Sequence, residues 1–255
     1  MHYFVVPFRS LNSSDKPEVL LTLLRRTLLN LAQQTVDSWH IVLVCTEAPV
    51  IDYLPTDRIS IVETGLPIPT GITERRRDAD TKIAIGGEEA FRLAGSAGDF
   101  SVMKVDADDL VSNDLLERTD RMQLDHGFVI NRGYLHRPGS GILWKHFRYH
   151  QICGSCASLV MRRQGKSLHS SAGFFADLFL KSYHPEIPKI LEAAGRPLTM
   201  LPFWAGVYTL DYGDNTSGNR LGFKWRPWRM EFVRGTIRQR FPGVADALRD
   251  LPEVA

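Results

Sequence analysis

Phe100-Ser101-Val102-Met103-Lys104-Val105-Asp106-Ala107-Asp108-Asp109 is the stretch that decides how this chain is read. An apolar run of strand length ends on three aspartates. On an extended segment, side chains at i and i+2 leave the same face, so Asp106 and Asp108 can reach one hard cation through oxygen ligands. A divalent ion held there bridges two phosphate oxygens and carries the charge that builds on a leaving diphosphate. Two plainer readings compete. Asp after a strand commonly caps the next helix. Asp106, Asp108, Asp114 and Glu117 also match the first, third, ninth and twelfth positions of an EF-hand loop, but Val111 stands where that loop demands Gly and Leu110 replaces a ligand.

Outward from this stretch the elements alternate. Tyr3 to Phe8 reads as a buried first strand, and Pro17 opens a helix in which Leu20, Leu21, Leu24, Leu28 and Leu31 recur at helical spacing, with Arg25, Arg26 and Asn30 between them, ending near Gln34. His40 to Cys45 and Ile59 to Val62 are apolar along their length, as strands buried on both faces are. Prolines and glycines from Gly65 to Gly71 predict a loop, followed by the charged segment Glu74 to Lys82 and a helix from about Asp80, its N-cap, to Leu93. Beyond Asn113 the pattern predicts a helix to about Leu124, strands over Gly127 to His136, Ile142 to Trp144 and Ser155 to Met161, helices over Ala172 to Tyr183 and Pro185 to Ala194, and a strand over Leu198 to Leu210. The order predicts a mostly parallel sheet covered by helices, with ligands gathered at the carboxyl ends of its strands.

Composition narrows the classes. The 255 residues are 44% apolar and 24% charged, which suits one large α/β globule. A net charge of +2 makes no electrostatic case for nucleic acid. The start lacks the pattern of a signal peptide, no apolar run is long enough to cross a bilayer, and three cysteines fit a reducing compartment, so a cytoplasmic protein is expected.

On Phe4 to Phe8, Leu20 to Gln34 leading to His40 to Cys45, the helix beginning at Lys82, and Val102 to Asp109, the sequence resembles the glycosyltransferase family 2-like enzymes of the GT-A fold, the rhamnosyltransferase branch being one candidate. The resemblance covers the first half well and the second loosely. It implies a single-domain GT-A α/β fold with a mostly parallel central sheet, a nucleotide-diphosphate sugar donor, a Mn or Mg ion held at Asp-x-Asp, and usually inversion at the anomeric carbon. It divides the chain into a nucleotide-sugar-binding half (1–125), an acceptor-binding half (126–220) and a basic, aromatic helical extension (221–255).

Carried over by position, Asp106 contacts the nucleotide ribose or the metal and Asp108 binds the metal, with Asp109 as the alternative. Many members have an acidic pair after the second strand; this chain has Cys45-Thr46-Glu47, which leaves Glu47 for the nucleoside and the nucleotide's identity open. Arg75, Arg77 and Lys82 lie where the fold passes the diphosphate. Asn215 sits in a polar loop that can fold over the donor. For the acceptor's proton, a carboxylate in an apolar surround has a suitably raised pKa. Asp177, in Gly173-Phe174-Phe175-Ala176-Asp177-Leu178-Phe179, matches that description, with Glu186 as runner-up.

Other features carry less. His184 is either a third metal ligand or a capping residue. His146 and His150 lack the Glu of a zincin motif. Cys153-Gly154-Ser155-Cys156 has no second pair to complete a zinc site. From Arg220 to Arg240, basic residues interleave with Phe223, Trp225, Trp228 and Phe232, which suits a helix packed by its aromatics or one lying on an anionic membrane surface. The expected protein is a glycosyltransferase acting on a glycan or lipid-linked acceptor, cytoplasmic or peripheral to the membrane's inner face. A sugar nucleotidyltransferase and a non-catalytic carbohydrate-binding scaffold are the alternatives; the former wants a glycine-rich basic loop after the first strand, where Arg9-Ser10-Leu11-Asn12 stands.

Overall fold

The computed structural model describes residues 1–95, 98–162, 172–182, 184–210 and 229–245. Twelve strands in this part of the chain form two sheets. The larger is built from β1 (His2–Phe8), β2 (Trp39–Cys45), β3 (Ile59–Glu63), β4 (Phe100–Lys104), β6 (Gly127–Val129), β9 (Ala157–Met161) and β10 (Thr199–Met200), in the order β10-β6-β9-β4-β1-β2-β3. All its strands run one way except β9, which is antiparallel to both β4 and β6. The smaller sheet contains β5 (Leu110–Val111), β7 (Arg132–His136), β8 (Ile142–His146), β11 (Trp204–Thr209) and β12 (Met230–Phe232), in the order β12-β8-β7-β11-β5.

This topology corrects the expected single-domain GT-A fold with one central sheet. The reason lies in three crossings that the sequence conceals. The apolar run read as one strand over Gly127 to His136 is β6 in the large sheet and β7 in the small one, separated only by Ile130 and Asn131. Leu198 to Leu210 likewise splits into β10 and β11 around Pro202, which cannot donate to a sheet ladder. The third crossing, from β4 to β5, is Val105 to Asp109 itself. The small sheet therefore takes over where β4, β6 and β10 leave the large one at their carboxyl ends. Both sheets draw strands from either side of residue 125.

Helix α1 (Pro17–Leu31) begins on Pro17 at its first turn, where the missing N–H costs nothing. It buries Leu23, Leu24, Leu28 and Leu31 with Thr27, but also Arg26 and Asn30, which the leucine spacing places outside. Helix α2 runs Ile72–Ala94, eight residues longer at its start than expected. Glu74 accepts the Thr70 backbone N–H at 2.7 Å and the Thr70 hydroxyl at 2.7 Å, tying the first turn to the preceding loop. Asp80 is thus mid-helix and caps nothing; Gly71 is the N-cap. At Gly86 the helix lies so close to the sheet that a Cβ would stand 2.4 Å from Val5 Cγ1. Helix α3 is Leu115–Met122, α4 is Ala172–Lys181, α5 is Ile187–Ala193 and α6 is Gly235–Arg240.

The main apolar core packs the large sheet with Leu23, Leu28, Ile83, Leu115 and Phe175; a smaller cluster of Leu110, Tyr134, Leu143, Val207, Val233, Ile237, Phe241 and Val244 lies against the small sheet. Within the expected C-terminal extension, the described residues 229–245 give β12, paired antiparallel with β8, and the short α6. Arg240 fixes α6 by donating to the Trp204 carbonyl at 2.7 Å and pairing with Asp114 at 3.2 Å.

Candidate functional site at the β4–β5 crossing

In the large sheet β1 is flanked by β2 on one side and β4 on the other, so successive connections reverse direction between β1 and β4. In open α/β sheets this switch point, at the carboxyl ends, is where a ligand crevice forms. Asp106 stands just beyond it, since Val105 N–H still bonds the Val5 carbonyl at 2.9 Å.

Asp106 to Asp109 is a tight turn, closed by the Asp109 N–H on the Asp106 carbonyl at 3.1 Å. The segment is not extended, and the three carboxylates part ways. Asp106 is half-buried and presents both oxygens to Lys104 Nζ, each at 2.7 Å. Its backbone N–H donates to Ser155 Oγ at 2.8 Å. Asp109 is fully buried. Its Oδ1 accepts the Thr209 N–H at 3.2 Å, and its Oδ2 accepts from Ser155 Oγ at 2.7 Å and Cys153 Sγ at 3.1 Å. Burial first, then the charges of Asp108 and Asp106, push the Asp109 carboxyl well above the usual range, toward its protonated form. Asp108 is half-buried; its backbone carbonyl accepts from Arg26 and from the Thr209 hydroxyl.

Helix α1 holds this turn from behind. Thr27 Oγ1 donates toward the carbonyls of Ala107 and Asp109 at 3.0 and 2.9 Å. Asn30 accepts the Val111 N–H at 2.9 Å, and Gln34 donates to the Ser112 carbonyl at 3.0 Å. Opposite, Tyr149 begins the short turn that carries Cys153 to Ser155. Its ring is fully buried against Gly133 of β7, where a Cβ would stand 2.1 Å from Tyr149 Cδ2.

Beyond the carboxyl ends of β1 and β2 lie the loops that follow them and the start of α2. Glu47 Oε1 accepts from Ser10 Oγ at 2.7 Å and Asn12 Nδ2 at 3.2 Å, which joins the loops after β1 and β2. Arg75 donates to the Ser13 carbonyl at 3.1 Å, while Arg77 points to solvent. Lys82 departs from its expected position: it is fully buried, pairs with Asp78 at 2.7 Å and donates to Thr46 Oγ1 at 2.8 Å, so its ammonium is committed inside the fold. Asp80, on the neighbouring stripe of α2, faces Lys104 and Asp106; burial raises its pKa first, Lys104 opposes that, and Asp106 adds to it.

The later residues divide. His184 comes close enough to Lys104 and Asp106 to feel both charges; burial and then the Lys104 charge push its pKa down to about 4, leaving a neutral ring. Asp177 lies on the exposed face of α4, not in the apolar surround expected of it; Phe175, Ala176, Leu178 and Phe179 take the buried positions. Glu186 is exposed. His146 ends β8 and His150 lies in a separate short turn, so the two are not a helical pair. Cys153 and Cys156 are free and buried. Asn215 lies outside the described residues.

A divalent ion held by Asp106, Asp108 and Asp109 does not fit these side chains as they stand. The oxygens of Asp106 are taken by an ammonium and those of Asp109 by three donors in the core. Among the described residues no group of three or more His, Cys, Asp or Glu is placed to hold a metal. What the site offers is a cationic and hydroxyl-bearing wall over an acidic turn. Lys104, Ser155 and Thr209 are the participants that sequence reasoning missed. Lys104 carried a signal, being the one charge in a strand that is apolar apart from Ser101, at i−2 from Asp106.

The two-sheet topology overturns the resemblance to the GT-A family 2-like enzymes and their rhamnosyltransferase branch. No family model matches the chain, and no curated protein matches it. Among solved structures, Staphylococcus aureus TarS residues 1–349 is similar at 11% identity and a TM-score of 0.43, over 82% of this chain and 60% of that one. The same fragment in complex with UDP-GlcNAc is similar at 13% identity and a TM-score of 0.45, over 86% and 61%. A nucleotide-diphospho-sugar transferase from Desulfovibrio desulfuricans G20 is similar at 15% identity and a TM-score of 0.36, over 80% and 79%. The chain spans about three-fifths of the length of the two TarS structures. These are distant likenesses, and the functional reading rests on the geometry of the site.

Proposed function

We propose that the crevice at the carboxyl ends of β1, β2 and β4 binds a nucleotide-diphosphate sugar and that the protein is a glycosyltransferase. The observation that carries this reading is the placing of the Lys104–Asp106 pair at the switch point of the large sheet, beyond the same carboxyl ends as the Glu47 cluster that joins the first two loops. That arrangement suits a ligand with hydroxyls at one end and a diphosphate at the other. Glu47 accepts from ribose or base donors, Arg75 is held on the same loop at Ser13, and Asp106 receives a ribose or sugar hydroxyl.

In the transfer, an acceptor hydroxyl oxygen bonds to the anomeric carbon as the bond from that carbon to the diphosphate breaks. The nucleoside diphosphate leaves with the electron pair. The hydroxyl proton passes to a carboxylate, for which Asp177, exposed on α4, is the candidate that the sequence offers. The acceptor is a glycan or a lipid-linked sugar. No helix among the described residues is long and apolar enough to cross a membrane. Exposed Phe232, with Arg234 over its ring at 4.8 Å, supports a peripheral membrane contact.

The test is a panel of nucleotide-sugars followed by thermal shift and calorimetry. At least one donor is expected to raise the melting temperature, with affinity falling ten-fold or more in Glu47→Gln and in Asp106→Asn. No stabilisation and no turnover by any common donor, with a range of glycan acceptors present, would refute the assignment.

A further inference from the structure

The Lys104–Asp106 pair asks for more than a structural role. Lys104 ends a strand that is apolar apart from Ser101 and has no other charged side chain, and its own side chain is 12% exposed. Burial works against its charge, but the Asp106 carboxylate, through charge and hydrogen bonding, leaves the lysine pKa above its ordinary value. Gly154 passes directly alongside: a Cβ there would stand 2.4 Å from Lys104 Nζ and 3.0 Å from Asp106 Oδ2. The glycine therefore keeps open the space in which the pair forms. A divalent ion approaching the same carboxylate meets a fixed positive charge already bonded to both oxygens, and like charges at such range in a half-buried site repel strongly.

We propose that Lys104 is the resident cation of the donor crevice: its ammonium, held by Asp106 and given room by Gly154, keeps divalent ions off Asp106 and supplies the positive charge that faces the donor's diphosphate. The exclusion of divalent ions stands on this geometry alone; the contact with diphosphate rests on the donor reading above. An ammonium has three N–H donors, of which the two carboxylate oxygens use two, so one remains for a phosphate oxygen. As the bond to the anomeric carbon breaks and its electron pair passes to the diphosphate, a preorganised positive charge offsets the negative charge that develops.

Two measurements separate the halves of the proposal. Manganese binding, followed by electron paramagnetic resonance, is compared among the unaltered protein, Lys104→Met and Asp106→Asn. Lys104→Met is expected to bind manganese at least ten-fold more tightly, and Asp106→Asn to bind it as the unaltered protein does. Unchanged affinity in a folded Lys104→Met, or a ten-fold loss in Asp106→Asn, overturns the exclusion. If Lys104→Met does not fold, the Asp106→Asn comparison decides. Binding of uridine, thymidine and guanosine diphosphates is then measured by calorimetry in EDTA. One of them is expected to bind without metal and to lose ten-fold or more in Lys104→Gln. Binding in EDTA that is indifferent to Lys104, or that appears only when manganese is added, overturns the diphosphate contact. A complete lack of binding with and without manganese refutes the donor reading itself, and leaves the manganese comparison to judge the exclusion.

Discussion

Thr27 Oγ1 on α1 lies 2.9 Å from the carbonyl oxygen of Asp109 and 3.0 Å from that of Ala107, so one buried hydroxyl serves two carbonyls of the turn that carries the site. A helix thereby fixes a loop by its backbone, leaving the loop's side chains for other partners. Thr27→Val keeps the shape and removes the donor. Buried carbonyls left unsatisfied cost about 1–3 kcal/mol. A loss of that size in urea denaturation at constant m-value is expected, with weaker binding of the proposed donor because the turn is less well fixed. An unchanged midpoint would show that the hydroxyl is dispensable.

Lys82 separates a structural lysine from a ligand-binding one. It is fully buried with Asp78 and Thr46. Lys82→Met leaves the Asp78 carboxylate uncompensated, and breaking one side of a buried pair costs about 3–5 kcal/mol. The double variant Asp78→Leu/Lys82→Met removes both charges and is expected to recover much of that loss. A Lys82→Met protein of normal stability with selectively weakened nucleotide binding would restore the ligand role expected from the sequence.

The Gly133–Tyr149 contact makes a steric prediction. Gly133→Ala places a methyl 2.1 Å from the ring carbon Tyr149 Cδ2, and the ring belongs to the segment that carries Cys153 and Ser155 to Asp109. Overpacking of this kind costs about 1–3 kcal/mol. Tyr149→Leu alone is destabilising through the cavity it leaves. In the Gly133→Ala background the same change relieves the clash, so the two substitutions combine to less than their sum in a double-mutant cycle.

What the sequence disclosed, and what it concealed, follows from how each signal is encoded. The apolar runs of β1, β2 and β4 and the leucine spacing of α1 are local patterns, and these elements lie where their patterns place them. The second sheet is not a local property. Gly127 to His136 remains apolar across the point where the chain changes sheets, so periodicity passes over the crossing at Ile130 and Asn131. Charge has the same weakness, because Arg26 and Lys82 look alike in sequence whether they face water or a buried partner. Spacing did hold the clue at two places. Asp78 and Lys82 are one helical turn apart, and the i, i+2 rule that grouped Asp106 with Asp108 groups Lys104 with Asp106 as well. The turn at Ala107 and Asp108 broke the first grouping and left the second.

His136 gives the pH dependence a sign. Its ring is fully buried on β7, and burial, with the nearby Arg26 charge, pushes its pKa down to about 3 from an unfolded value near 6.5. Between those values the unfolded chain binds a proton that the folded protein refuses. Unfolding therefore takes up protons, and stability rises with pH until the unfolded pKa is passed. As pH falls below about 6.5 the single group removes about 1.4 kcal/mol per pH unit. His184, lowered to about 4, acts in the same direction over a narrower window. Asp109, whose carboxyl is raised, acts oppositely: above the unfolded carboxylate pKa the folded form retains a proton the unfolded chain has lost, so its contribution weakens as pH rises. His136→Phe removes one proton from the acid-side slope and leaves the other two groups in place. Urea midpoints measured from pH 4.5 to 7.5 are expected to fall more gently toward acid in this variant than in the unaltered protein, and parallel curves would show that His136 is not the group being titrated.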